Sequence, residues 1–381
     1  MKHKRIIYFV ANEFSNRDYN RLGIEHCTDK GYCVEVWNFS TYLYDNTVQQ
    51  NYINSKFILR TFDTKKEIIN SINNLSQKDF IVNQVFFGIQ TYFLYRMLKV
   101  NKIGFSQIYL GSIPSKCDTS FSTILKQGNM NFFKIYNFIF KKIISLLKID
   151  IYPSFILVDG KKAPVAKSSR VVYAHSYDYD LYLKEQTLEK IKRKNKFIVF
   201  LDVNLVDHTD FKILNLHNPV TKEKYYSSLT KYFENIREAT GLNIIIVAHP
   251  RTDYDKLQKE FKSFKIVQNN TNKLIAESEF VISHDTTAIS LVVLNNKPIQ
   301  FITTDELIEA KDTEIECMAN YFDKQVINID DLFYFDKIET YRIPEKRYKE
   351  YIEDYIKVED SPKKLLWDIF IDILEKEKIN E

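Results

Sequence analysis

Residues 244–251, Ile-Ile-Ile-Val-Ala-His-Pro-Arg, bring an imidazole and a guanidinium to the end of an unbroken apolar run. Such a run suits a strand buried on both faces, and open α/β sheets bind ligands beyond the carboxyl ends of their strands. Pro250 fixes its own φ and restricts His249 to extended backbone, so the ring is held in place. An imidazole there can donate to a phosphate or to a departing phosphate oxygen, and Arg251 can add a bidentate charged contact. The competing reading is a strand that merely ends in a polar turn. A second run ends a strand at Ser283 and continues His284-Asp285-Thr286-Thr287 into a helix expected over 286–294. Backbone N–H groups at that helix start, with the hydroxyls of Thr286 and Thr287, make an anion site, and Asp285 or Thr286 as a simple cap is compatible with it. The two runs lie about thirty residues apart, one βαβ step, so they can lie on neighbouring strands of one sheet edge.

A third concentration of polar chemistry follows the first apolar run. Residues 12–21 carry Glu13, Arg17, Asp18 and Arg21 directly after the strand expected at 6–11. Transfer to a hydroxyl needs carboxylates to orient the acceptor and one to take its proton, while Arg17 and Arg21 can pair with an acidic group on donor or acceptor. The alternative is an exposed helix start whose acids complement the dipole. Asp159 ends the run Phe-Ile-Leu-Val at 155–158 and precedes Gly160. Asp18 and Asp159 are carboxylates at strand ends where open α/β sheets bind ligands; a resemblance given below makes them the candidate bases, and the sequence does not choose between them. Clusters at 174–180 (His175, Asp178, Asp180 and two tyrosines) and at 201–208 (Asp202, Asn204, Asp207, His208) either line a cleft from the side or form solvated turns.

Positioning these groups requires strands at fixed intervals. In the first half, apolar runs at 6–11, 32–38, 79–86, 107–110, 155–158 and 171–174 alternate with helical periodicity at 17–30, 65–75 and 90–99. After a charged helix at 183–194, whose Lys-Arg-Lys-Asn-Lys end reads as a hinge, the pattern restarts. Strands are expected at 197–202, 243–247, 265–267, 280–283 and 299–302, with helices at 222–240, 253–261 and 272–276 between them. Strands separated by helices of this length imply parallel sheets. The expectation is an α/β protein of two Rossmann-like domains facing a central cleft, spanning 1–190 and 191–345. A helical tail, 346–381, could pack back on the first domain through Leu365, Leu366, Trp367, Ile369, Phe370 and Ile373.

Composition excludes other classes. The 381 residues are 45% hydrophobic and 27% charged, which fits globular domains. Lys and Arg number 54 against 50 Asp and Glu, an excess of +4, too small to argue for a nucleic-acid partner. Cys27, Cys33, Cys117 and Cys317 are widely spaced with no CxxC, against a disulfide framework or a zinc ribbon and in favour of a reducing compartment. GxGxxG, GxxxxGK[ST], HExxH and GxSxG are absent, and the seven histidines show no metal-ligand spacing. No apolar run reaches the span of a membrane helix, and the first is too short for a secretory signal, so a cytoplasmic location is expected. Residues 121–148 form a cationic amphipathic stretch, with Lys134, Lys141, Lys142 and Lys148 among Phe132, Phe133, Ile135, Phe138, Ile139, Ile143, Leu146 and Leu147. It either lies on an anionic membrane surface or packs on its own domain with lysines to water. Glu306 and Glu314 repeat as Glu-x7-Glu but follow the 299–302 strand, out of place for a sugar-binding pair.

His249-Pro250, then Ser283-His284-Asp285-Thr286-Thr287 and Asn296-Lys297-Pro298, resemble the bacterial sialyltransferases and related surface-polysaccharide glycosyltransferases of the GT-B fold. The resemblance covers about 197–302. It implies that the first domain binds the acceptor and the second a CMP-activated acidic sugar, sialic-acid-like or Kdo-like. It implies that His249 contacts the CMP phosphate and assists its departure, that Ser283, Thr286 and Thr287 bind the same phosphate, and that Pro250, Arg251, His284 and Asp285 belong to the donor site. Asp159-Gly160 matches the later part of the family's acidic motif. The reaction implied is inverting transfer to a glycan or glycolipid acceptor, with no cofactor beyond the donor, no metal, and peripheral contact with the cytoplasmic membrane face left open. CDP-linked polyol-phosphate transferases share the HP and Ser/Thr signatures, and a non-catalytic assembly protein of the same fold is the other alternative.

Overall fold

The computed structural model describes residues 5–44, 56–115, 132–147, 151–165, 170–186, 196–207, 217–310 and 313–376. All of the hinge at 192–196 but Lys196, together with His208 and residues 121–131 and 148 of the cationic stretch, lies outside them. The described residues form two parallel sheets. The first holds β1 (Arg5–Val10), β2 (Cys33–Asn38), β3 (Ile58–Thr61), β4 (Asp79–Asn83), β5 (Gly104–Tyr109), β6 (Phe155–Val158) and β7 (Val171–Tyr173), in the order β3-β2-β1-β4-β5-β6-β7. The second holds β8 (Phe197–Leu201), β9 (Asn243–Val247), β10 (Lys265–Val267), β11 (Val281–Ser283), β12 (Ile299–Thr303) and β13 (Val326–Asn328), in the order β10-β9-β8-β11-β12-β13. Every pairing is parallel. The two Rossmann-like sheets are the architecture expected from the alternating runs. The edge strands β3 and β13 were not expected, because Ile-Leu-Arg-Thr and Val-Ile-Asn are short and only partly buried.

Parallel strands must be covered on both faces, and β1 shows how this chain does it. Ile6, Tyr8 and Val10 face one core, while Ile7 and Phe9 face another built with Ile68, Ile72, Leu94 and Leu98 from the helices Lys65–Asn73 and Tyr92–Val100. The first of these cores is completed by the far end of the chain. Helix Leu366–Lys376 buries seven large apolar side chains there, Leu366, Trp367, Ile369, Phe370, Ile371, Ile373 and Leu374. At about 1.5–3 kcal/mol for each such side chain removed from water, that docking is a major part of the first core. Trp367 Nε1 donates to Arg21 O at 2.8 Å, and its indole lies where a Cβ on Gly23 would sit, 2.1 Å away.

The chain crosses back through a single π-helical turn, Ile352–Ile356, closed by Lys357 N donating to Ile352 O at 2.7 Å. The first sheet's loops grip that turn. Lys161 N donates to Glu353 O and Lys162 N to Asp354 O, each at 3.0 Å, and Ser176 N to Ile356 O at 2.8 Å. Gly160 fits only because it lacks a side chain: a Cβ would stand 2.1 Å from Asp354 O. Beyond the turn, fully buried His175 holds Lys364 O at 2.8 Å from Nε2, and Asp180 accepts from Leu366 N at 2.9 Å. His175 and Asp180 are therefore joints that seat the tail, not parts of a solvated turn.

Candidate active site

In each sheet the strand order reverses beside the first strand, between β1 and β4 and between β8 and β11. Loops leaving the carboxyl ends on either side of such a point diverge and open a crevice. The polar runs singled out above sit on these loops: residues 12–21 after β1, Asp202 after β8, His249 after β9 and Ser283–Thr287 after β11.

The His-Pro-Arg turn is held by a group the sequence did not place in the site. Asp202 is buried, and its Oδ2 accepts from His249 N at 3.1 Å and from Thr252 Oγ1 at 2.9 Å, while Oδ1 accepts from Asn204 N at 3.0 Å. Burial pushes the Asp202 carboxyl above its ordinary pKa against these hydrogen bonds. Thr252 N closes the turn onto His249 O at 2.9 Å. Arg251 N donates to His249 Nδ1 at 3.2 Å, which assigns the proton of the neutral ring to Nε2. His249 is half-buried and Pro250 exposed, so the ring stands at the sheet's edge on a fixed backbone.

The Ser/Thr run corrects three expectations. First, His249 and Ser283 are not on neighbouring strands: β8 lies between β9 and β11, with Asp202 between the two loops. The pattern of runs gave their spacing but not the crossover. Second, His284 is fully buried, with Nδ1 2.8 Å from Ile302 O and Nε2 2.9 Å from Tyr225 OH. Burial lowers its pKa to about 4, so it is a neutral core residue with both nitrogens committed and cannot reach a ligand. Ser283 is likewise fully buried, its Oγ enclosed without a hydrogen-bond partner, which removes it from direct phosphate contact as well. Third, the α-helix begins at Ile289, not Thr286, behind an uncapped Ala288. Residues 286–288 wind as a tighter turn, with Ile289 N to Thr286 O at 3.2 Å and Ser290 N to Thr287 O at 3.1 Å. Asp285, Thr286 and Thr287 are half-buried on this turn and remain at the crevice.

On the first sheet, Asp18 is the third helical residue of a capping box. Its Oδ2 accepts from Ser15 N at 2.9 Å and Ser15 Oγ at 2.6 Å, and its N–H returns to Ser15 Oγ at 3.3 Å. The dipole-complementing reading therefore accounts for Asp18. Asp159 is fully buried. Its Oδ2 accepts from Gly111 N at 2.6 Å and its Oδ1 from Gly160 N at 2.8 Å. Burial raises its pKa to about 6 although backbone hydrogen bonds pull the other way. Without access to solvent it cannot receive a proton from an acceptor, and its role is to fix the loop after β5. That loop approaches the second sheet: a Cβ on Gly111 would lie 3.8 Å from Thr287 Cγ2.

Glu13 is the carboxylate left over, with Oε1 buried and without a hydrogen-bond partner among the described residues. Next to it stand cations. Arg17 is partly buried and makes no hydrogen bond or ion pair among the described residues. Its guanidinium pKa is lowered to about 10 by burial and then by the charges of Arg21 and Arg251, with Asp18 and Asp178 opposing. Arg21 stacks over the half-buried Tyr177 ring, its Cζ 5.2 Å from the centroid. Asp178 is buried; that burial raises its pKa, and Arg21 and Arg17 pull it down. Arg17 thus feels the charge of Arg21 on its own loop and that of Arg251 from the loop after β9 of the second sheet.

Sequence reasoning missed Tyr225, and it left Asp202 and Asp178 open between lining the cleft and forming solvated turns. A signal for Asp202 existed: an apolar strand ending on Asp occurs twice, at 155–159 and 197–202, and both carboxylates clamp the loop of an adjacent strand. Glu306 belongs elsewhere, accepting from Thr221 Oγ1 at 2.8 Å at the start of helix Lys222–Thr240. Among the described residues no group of three or more His, Cys, Asp and Glu side chains is arranged to hold a metal ion, and no helix is long and apolar enough to cross a membrane.

No protein-family model matches the chain, and neither does any curated protein. Solved structures share its fold. A wall teichoic acid polymerase, TagF, aligns over 99% of this chain and 89% of its own at TM-score 0.52 and 11% identity. Phytolacca americana UGT2 aligns over 99% of both chains at TM-score 0.48 and 8% identity. Acinetobacter baumannii MurG covers 98% of this chain and 99% of its own at TM-score 0.46 and 10% identity. Identity this low speaks to fold alone, and the fold is GT-B-like.

Proposed function

We propose that the protein is an inverting glycosyltransferase of the CMP-sugar type, moving an acidic sugar to a hydroxyl of a surface glycan or glycolipid. The observation that carries this reading is the meeting of Arg17, Arg21 and Arg251 around a crevice whose nearby acids, Asp18 and Asp178, leave Arg17 without an ion pair. Arg17, partly buried and under the charges of Arg21 and of the exposed Arg251, calls for an anion, and the carboxylate of the sugar or its phosphate suits it. On this reading the 286–288 turn, with the hydroxyls of Thr286 and Thr287, holds the phosphate, and His249 Nε2–H donates to the oxygen that departs. Strands β9 and β11 stand about 10 Å apart at two strand spacings, room for one phosphate between the side chains they carry.

The base in this proposal is Glu13, taking the place expected for Asp18 or Asp159. Unlike Asp159, Glu13 is only half-buried, and its carboxylate makes no hydrogen bond among the described residues, so it is not committed elsewhere and can take the proton of an acceptor hydroxyl. The acceptor O–H gives its proton to Glu13, the oxygen attacks the anomeric carbon, and the bond to phosphate breaks with its electron pair leaving on CMP. Protein donors neutralise the leaving group, so chelators leave turnover unchanged. A thermal-shift panel of CMP, CDP, UDP and GDP tests the donor, since a ligand stabilises in proportion to its binding. CMP is expected to give the largest shift, and a UDP or GDP preference refutes the reading. Glu13→Gln is expected to lower kcat by about 10²–10⁴ with the CMP shift retained; His249→Ala abolishes turnover in a protein that stays folded.

A CDP-linked polyol-phosphate transferase is the second reading, drawing on the name of the polymerase whose fold this chain shares. The same cations would then hold two phosphates. Product analysis separates the two, because only the second adds phosphorus to the acceptor.

A further inference from the structure

We infer that the exposed face of helix Phe132–Leu146, with the loop before Tyr92, rests on an anionic lipid surface. Among the described side chains of this helix, two residues four apart anchor it to the first domain. Phe140 meets the Tyr92 ring edge-on at 5.4 Å and the Phe87 ring at 6.3 Å, and Ile144 is buried. Beside that anchored edge the apolar surface continues into solvent: Ile139 is 45% exposed, Ile143 48%, Leu146 81% and Leu147 61%. At 3.6 residues per turn these four fall on one arc, about 100° wide, of the same helix. Ile89, in the loop that carries Phe87, adds another apolar side chain that is 51% exposed. The other strongly apolar helix, Leu366–Lys376, buries its apolar face, so this exposure is not how the chain treats amphipathic helices in general.

Charge selects the occupant. From 119 to 149 the chain has five lysines (Lys126, Lys134, Lys141, Lys142 and Lys148) and no acidic residue, although acids number 50 in 381 elsewhere and along its length. Lys141 and Lys142 are exposed on the helix itself. A second copy seated on this face would bring lysines against lysines, since a two-fold interface pairs a surface with itself. An anionic bilayer satisfies both halves of the pattern, with apolar side chains at the acyl boundary and lysines among the headgroups. Phe87 and Tyr92 lie just beyond the carboxyl end of β4, the crevice end of the sheet. Contact here therefore holds the mouth of the crevice near the lipid surface.

The test is co-sedimentation of the full chain with vesicles of phosphatidylcholine alone and of equal parts phosphatidylcholine and phosphatidylglycerol. Binding to the anionic vesicles, weakened by salt, is expected, with little binding to the neutral ones. Ile143→Ser with Leu146→Ser should reduce partitioning by about tenfold or more for each side chain, and Lys142→Gln by about fivefold. All of these side chains are exposed, so circular dichroism and the nucleotide thermal shift should match those of the wild type. A wild-type protein that stays in the supernatant with both vesicles at low salt overturns the inference. So does an Ile143→Ser/Leu146→Ser variant that sediments like wild type, or a concentration-dependent dimer that this variant abolishes. The readout is independent of the transferase reading and stands or falls without it.

Discussion

Replacing Asp202 by asparagine keeps the shape of the side chain and removes its charge, in a place where three donors converge on two oxygens. Oδ2 accepts from His249 N and Thr252 Oγ1 at 3.1 and 2.9 Å, and Oδ1 from Asn204 N at 3.0 Å. An amide offers one oxygen and one NH₂. Wherever the NH₂ sits, one backbone donor meets a donor: Asn204 N if it replaces Oδ1, His249 N if it replaces Oδ2, where the Thr252 hydroxyl must also turn to accept. A hydrogen bond to a charged group contributes about 1.5–3 kcal/mol. Part of that loss is recovered, because burial already disfavours the carboxylate and raises its pKa. The balance is a destabilisation of about 1–3 kcal/mol for Asp202→Asn. Thr252→Val removes one bond without touching His249 N, and about 1 kcal/mol is expected. Urea unfolding measures both. The diagnostic readout is the nucleotide thermal shift: Asp202→Asn should lower it more than Thr252→Val, since only the former frees the backbone of His249. A variant with wild-type stability and an undiminished shift would refute the clamp and, with it, the fixed imidazole.

Two further perturbations follow from the same geometry. Gly160→Ala places a methyl 2.1 Å from Asp354 O and 2.5 Å from Tyr355 N, both backbone atoms. It should destabilise by about 3 kcal/mol through overpacking and loss of the Lys161 and Lys162 hydrogen bonds, whereas Gly31→Ala, with open space around it and φ +85°, should cost only the backbone strain of about 1 kcal/mol. Denaturant midpoints compare them, and equal losses would reject the close approach. The raised pKa of Asp159, about 6 against an ordinary 3.8, makes the folded state hold its proton longer than the unfolded one. Its contribution is full below about pH 4 and lost as pH rises to about 6, by about 3 kcal/mol in all. The stability of wild type relative to Asp159→Asn should therefore fall across that window, and a flat difference rejects it.

Much of the fold was legible because parallel strands buried on both faces read as apolar runs. The runs at 6–11, 155–158, 197–202 and 243–247 all became central or near-central strands. What was not legible depended on partners far away in sequence. Whether β9 neighbours β11 is decided by where β8 inserts, and no local pattern records that. His284 reads like a site residue because it follows a strand among hydroxyls. Its fate is set by Tyr225 on a helix that begins sixty residues earlier and by Ile302 on the next strand. Likewise Glu13 and Arg17 stood in the expected loop, but only the fold shows that Asp18 is spent on its own helix cap while Glu13 is not.

Asp159 and Asp202 join these two lessons. Each is one residue past a buried strand, each is itself buried with its pKa raised, and each accepts backbone N–H groups from the loop of an adjacent strand. A carboxylate so placed sacrifices stability, because its desolvation outweighs the hydrogen bonds it receives. The return is rigidity where the two sheets face each other. Asp202 fixes the backbone of His249, and Asp159 fixes Gly111, whose loop approaches Thr287 on the opposite sheet. Electrostatic stabilisation of a leaving group depends on donors that need not reorganise as charge develops. The placement of the buried acids, more than the identity of any exposed one, is what supports the proposed transfer.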